Sequence, residues 1–280
     1  ATGQSFLAVE AVRRCRRAVA AAPAPQHWRY EYGPHIEETR LKRTIPAHSE
    51  LASWEEPQAM AGYVIAAVPA FSSNATCPTH VVSVWRASRD ELVQVAEFAS
   101  AECGMQPCAW VCAHLLGAYA APRRAFIIET LGLGGGVFQE LKRLQATGWG
   151  TTRRPQLSDM IGGIRHYIWR RPDSMTGAAA IQWRSSPDYR SWAFNRLRDQ
   201  LANGAVILRS EACQRELERV RQVGDEFVPE GRDAEEHRVF AAALAVESWS
   251  AQLKPVFERV QGASTANTVV ERMVEGFFDR

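Results

Sequence analysis

From residue 62 onward the apolar positions fall into regular runs. Gly62-Tyr-Val-Ile-Ala-Ala-Val-Pro-Ala70 holds a short continuous apolar segment, Tyr63 to Ala67, which fits a buried strand. Thr79-His-Val-Val-Ser-Val-Trp-Arg86 and Glu91-Leu-Val-Gln-Val-Ala-Glu-Phe98 follow, separated by the turn-like Ala87-Ser-Arg-Asp90. Together these predict a three-strand meander with hairpin spacing. Residues 106–119 read as a helix and Arg124 to Glu129 as a fourth strand. Val137 to Leu144 reads as a helix with Val137, Leu141 and Leu144 on one stripe. Tyr189 to Ala202 is a further helix, ended by Asn203-Gly204, and Ala205-Val-Ile-Leu208 a short fifth strand. Ser210 caps a helix expected to run to about Val223, and Ala234 to about Leu253 forms the last core helix. This order predicts an α/β domain, a mixed sheet of five or more strands covered by helices on both faces.

The first sixty residues read differently. Residues 1–21 have the pattern of a basic amphipathic helix, Ala22-Pro-Ala-Pro25 breaks it, and a polar stretch with His and Pro continues to about residue 60. The expected division is a helical arm and linker over 1–60, a core domain over 61–253 and a helical tail over 254–280. In the tail, Val269, Val270, Met273, Val274, Phe277 and Phe278 recur at helical spacing. The chain's 280 residues suffice for one large domain with arms or for two small ones. A net charge of +2 points to no particular partner. Locally, residues 151–200 carry nine Arg against four Asp, a net +5, which suits a phosphate backbone as well as it suits a solvated helix face. No signal peptide is legible, so the six Cys imply no disulfide framework, and no run approaches the ~20 apolar residues of a membrane span. Reduced thiols, a cytoplasmic compartment and no membrane association are expected. An initial Ala suggests a piece of a longer chain.

Candidate chemistry gathers at two places. Glu129 ends the fourth strand and opens into Leu131-Gly-Leu-Gly-Gly-Gly136, where Gly132 and Gly134 would let backbone approach a phosphate closely. Glu235 and Glu236 begin the last helix, a position that also favours acids simply through the helix dipole, and periodicity does not choose between them. Two other signals lead elsewhere. Cys103, Cys108, Cys112 and His114 contain no Cys-x2-Cys pair and read as buried thiols against Trp110 and Leu116. The glycine run lacks the full Gly-x-Gly-x-x-Gly register of a dinucleotide loop.

Five segments carry a resemblance. They are Trp54-Glu-Glu-Pro57, Gly62 to Ala70, Val93-Gln-Val-Ala-Glu-Phe98, Ile127-Ile-Glu129 with Gly132 and Gly134, and Glu235-Glu-His-Arg-Val239 with Ala241-Ala-Ala-Leu-Ala245. In order and spacing, over roughly residues 50–250, they resemble the C-terminal nuclease domain of the large terminase subunit of tailed bacteriophages, an RNase H-like fold. The motor half of that family carries a Gly-x4-Gly-Lys-Ser/Thr loop; this chain has none, so an ATPase half lies outside it.

The resemblance implies cleavage of concematenated viral DNA at a two-ion centre of Mg²⁺ or Mn²⁺ held by converging carboxylates. It assigns Glu129 and one or both of Glu235 and Glu236 as catalytic and metal-binding residues. The third acid, an Asp on the first strand, is expected just before Pro69, where this chain has Val68. Valine cannot ligate a metal, and residues 71–80 contain no acid; Asn74, Cys77 and His80 offer softer donors suited to zinc or manganese. Candidate contacts to double-stranded DNA are Arg153, Arg154, Arg171, Arg184 and Arg190, with Trp183, while Trp169 and Trp192 are assigned to the core. Implied partners are a terminase ATPase half, the small terminase subunit and the portal. Two functions follow: a metal-dependent endonuclease impaired by Val68, or a catalytically silent DNA-binding or packaging-motor interaction protein.

Overall fold

The computed structural model describes residues 3–69, 80–146, 168, 186–231 and 236–260. In chain order the elements are β1 (Gln4–Ser5), α1 (Val9–Ala20), β2 (Gln26–Glu31), β3 (Arg40–Arg43), β4 (Leu51–Ser53), β5 (Gly62–Pro69), β6 (His80–Ala87) and β7 (Leu92–Ser100). There follow α2 (Met105–Ala118), β8 (Arg123–Ile128), α3 (Leu133–Ala146), α4 (Pro187–Asn203), β9 (Val206–Ile207), α5 (Glu211–Arg219), β10 (Val220–Val223), β11 (Glu226–Pro229) and α6 (His237–Ser248). A π-helical turn, Trp249–Leu253, carries α6 onward to residue 260.

Eight strands form the main sheet in the order β3-β2-β4-β7-β6-β5-β8, with β9 also pairing β7. The expected meander is present as antiparallel β5, β6 and β7, with an irregularity at Val84 and Trp85. β8 returns parallel to β5, in register from Gly62 opposite Arg123 to Ala67 opposite Ile128. β5 is buried along its whole length, as a central strand covered on both faces must be. Its alternation divides the core. Val64, Ala66 and Val68 face α1, α4, α5 and α6, while Tyr63, Ile65 and Ala67 face α2 and α3. α6 is apolar all round, and its small residues Ala241, Ala242, Ala243 and Ala245 are all buried against the sheet side.

Helix ends follow the local chemistry. The Ser186 side chain accepts the Tyr189 N–H, Pro187 stands in the first turn of α4, and Gly204 ends it with φ of 76°. Ser210 caps α5 by accepting the Cys213 N–H.

Three expectations change. The stretch from 22 to 60, read as linker or extended arm, supplies β2, β3 and β4, and β4 pairs β7 through Leu51, Ala52 and Ser53. Residues 220–223, read as helix, form β10, which turns back at Gly224 (φ of 62°) and Asp225 into β11. A Gly-Asp pair between short apolar runs is a two-residue hairpin signal, and it outweighs the helical pattern before it. Trp192 is not a core residue: it is 41% exposed, with the Arg196 guanidinium 4.3 Å over its ring. Cys103, Cys108 and Cys112 are buried free thiols.

Candidate active site at the sheet edge

The parallel pairing of β5 with β8 brings Val68 and Glu129 to the same end of neighbouring strands. The ladder's last bond runs from the Glu129 N–H to the Ala67 carbonyl at 2.9 Å. Alternation sets both side chains on the α6 face, Val68 after Val64 and Ala66, Glu129 after Ala125 and Ile127. Val68 is 2% exposed and Glu129 is buried. One carboxylate oxygen of Glu129 accepts the Leu131 N–H at 2.8 Å, closing the turn into α3. Gly132 takes a φ of 61° with open space around it. Gly134 has a different task from the one expected. A side chain there would meet the Glu129 carbonyl oxygen at 1.7 Å, so its bareness admits the strand's own backbone.

Glu236 caps α6 without using its side chain for the cap. Its carboxylate instead pairs with the Arg190 guanidinium from the first turn of α4. That guanidinium lies 4.6 Å from the Phe240 ring centroid and 5.3 Å from that of Phe194. Burial lowers the Arg190 pKa, and attraction to Glu129 opposes the shift. The cation thus pairs directly with Glu236 and also feels the charge of Glu129. Arg190 was expected on a DNA-facing surface; its side chain is 29% exposed and engaged in this corner. A cation in the first turn of a helix opposes the dipole, and that misfit is the sequence signal that marks it.

Arg238, two residues further along α6, turns to a different cluster. It bonds Glu97 of β7 at 3.0 Å and Glu216 of α5 at 2.6 Å. Glu216 also accepts the Arg238 backbone N–H at 2.8 Å, and the Ser210 hydroxyl donates to Glu97 at 2.8 Å. Burial works against the Arg238 charge, but Glu97 and Glu216 more than offset it and its pKa is raised. Burial pushes Glu216 up to about 6 despite Arg238. No sequence signal marks this cluster beyond a polar residue in each partner element.

Among the described residues the donor set does not fit a two-ion carboxylate centre. Val68 has no donor, one Glu129 oxygen closes a turn, and Glu236 already holds a cation. Among the described residues no three His, Cys, Asp or Glu side chains are grouped closely enough to hold a metal ion. His80 follows the alternation of Val82 and Val84 toward α2, with its ring bonded to the Cys103 backbone, and burial lowers its pKa. Glu235, Asn74, Cys77, Arg153, Arg154, Arg171, Arg184, Trp169 and Trp183 lie outside the described residues. A cleft of about 780 Å³ lies elsewhere, lined by Arg16, His27, Glu50, Trp54 and Arg209 and by neither acid of this corner. No helix among the described residues is long and apolar enough to cross a membrane.

The antiparallel β5-β6-β7 meander, the parallel β8 beside β5 and helices on both faces define an RNase H-like fold. Within that class the fold is that of large terminase nuclease domains. The large terminase nuclease of thermophilic phage G20c with bound magnesium is similar at TM-score 0.52 and 15% identity, over 88% of this chain and 98% of that one. The same nuclease with bound cobalt is similar at TM-score 0.51 and 13% identity, with the same coverage of each chain. No protein-family profile matches the sequence, and no curated protein matches it.

Proposed function

We propose that this chain is the nuclease-type domain of a large terminase subunit, acting on double-stranded viral DNA during genome packaging, with an impaired cleavage centre. One observation carries the reading: Val68, which has no ligand atom, stands beside Glu129 at the strand end, and Glu236 is already paired with Arg190. Loss of one ion-bridging acid removes several kcal/mol of transition-state stabilisation, on the order of the terms that make such centres work. The basic stretch holding Arg153, Arg154, Arg171 and Arg184 supplies the phosphate-binding charge. An ATPase half, the small subunit and the portal are the partners this role requires.

The competing reading is an active endonuclease dependent on Mg²⁺ or Mn²⁺, with Glu129, Glu235 and Glu236 as its acids. It is favoured by the magnesium and cobalt bound in the G20c neighbours. Plasmid nicking with either ion separates the two, using the native chain, Val68→Asp and Glu129→Ala. The impaired reading expects background nicking by the native chain and a gain on Val68→Asp. Efficient nicking by the native chain that Glu129→Ala abolishes would establish the competitor. Efficient nicking that Glu129→Ala leaves intact would place cleavage at another site.

A further inference from the structure

We infer that Arg190 is the resident cation of the acid corner, paired with Glu236 in the place where a divalent ion would otherwise hold the acids. The inference rests on reading that corner as the nuclease-type centre. Three features support it together. First, like charges converging in a covered site need a counter-charge, or one of them must give up its charge. Second, the guanidinium is built in: it comes from a capped helix, contacts Glu236 directly, and lies over Phe240 and Phe194. Planar, delocalised and weakly hydrated, it tolerates that covered place better than an ammonium would. Third, Val68 removes a negative charge from the same strand end. One guanidinium balances one carboxylate, so an Asp there would raise the uncompensated charge from one to two; with valine, one resident cation faces two acids rather than three. The pair thus joins α4 to the start of α6 without a metal.

The consequence is a domain indifferent to divalent ions until Arg190 is removed. The test follows thermal melting and Mn²⁺ binding by equilibrium dialysis, with no DNA present, for the native chain, Arg190→Gln, Arg190→Lys and Arg190→Gln/Glu236→Gln. The native chain is expected to bind no Mn²⁺ that depends on Glu129 and to melt at the same temperature with and without it. Arg190→Gln is expected to melt lower, to bind Mn²⁺ at least about tenfold more tightly than the native chain, and to recover stability with the ion. Arg190→Lys should keep the native indifference, since it keeps the charge. The double variant should regain stability without metal, because the uncompensated acid is gone. If Arg190→Gln does not fold, the double variant still decides: no better folding or stability than Arg190→Gln alone overturns the inference. So does Mn²⁺ binding by the native chain that Glu129→Gln abolishes, or a folded Arg190→Gln chain unaffected by Mn²⁺. Because cleavage is not read, these failures are distinct from failure of the nuclease reading.

Discussion

The close approach of α3 to the end of β8 yields a prediction in which two known effects oppose each other. Replacing Gly134 by Ala inside a helix ordinarily stabilises by about 1 kcal/mol through propensity. Here the added methyl would sit 1.7 Å from the Glu129 carbonyl oxygen and 2.7 Å from its carbonyl carbon, with Pro69 Cδ at 3.6 Å. Its two nearest neighbours are backbone atoms, which cannot rotate aside, and ordinary contact begins near 3.4 Å. Either the first turn of α3 or the strand end must move by more than an ångström. Overpacking of this kind costs about 1–3 kcal/mol and sometimes more, and the rigid neighbour puts this case at the upper end. The expected net loss for Gly134→Ala is about 2 kcal/mol or more. Gly135→Ala meets only the Thr130 carbonyl at 3.3 Å and should be near neutral. Gly132→Ala has open space but a φ of 61°, so it should lose about 1 kcal/mol. Urea unfolding with equal m-values across the series gives the comparison. A Gly134→Ala chain as stable as native would refute the backbone-packing argument and return that glycine to the role of admitting a phosphate.

Two further predictions concern buried charge. Glu247 on α6 is fully buried with Arg196 3.0 Å away; burial raises its pKa from 4.5 to about 7, and Arg196 opposes the shift. Between those values the folded chain holds a proton that the unfolded chain has released, so this group's stabilisation is complete below pH 4.5 and lost as pH rises through 7. Over that window it amounts to about 3 kcal/mol, and Glu247→Gln should remove that slope from stability measured against pH; an unchanged slope refutes the assignment. Arg238→Met should cost about 3–5 kcal/mol by leaving Glu97 and Glu216 buried without their cation, and adding Glu97→Gln and Glu216→Gln should restore much of it in urea unfolding.

Much of the fold is legible because its strands are bounded by strong local signals. The apolar run through Tyr63 to Ala67 and the Ala87-Ser-Arg-Asp90 turn identify the β5-β6-β7 meander without tertiary information. β2, β3 and β4 are illegible for the opposite reason. Gln26–Glu31 has only Tyr30 buried, and Arg40–Arg43 is exposed throughout, so no alternation marks them as strands. Their pairing depends on the free edge of β7, which the local sequence does not encode. In the acid corner, residue types at the strand and helix ends point to Glu129 and to the Glu235-Glu236 pair without choosing within it. The cation paired with Glu236 comes from α4, 61 residues after Glu129 and 46 before Glu236, and no spacing rule links it to either acid.

That asymmetry explains how the corner keeps its architecture with valine at position 68. A nuclease-type centre concentrates like charges at one end of a sheet, and the same convergence that recruits metal opposes folding without it. Here the fold does not depend on that recruitment. Val68 packs into the α6-side core, Glu129 spends an oxygen on the turn into α3, and Arg190 answers Glu236. Each of these acids has a structural partner, so each is held in place by stability whether or not it serves cleavage. Retention of Glu129 and Glu236 is therefore no measure of activity. Full restoration of a centre would take two changes in concert: an acid at 68 supplies the missing donor and alone gives a partial gain, and loss of the charge at 190 releases Glu236.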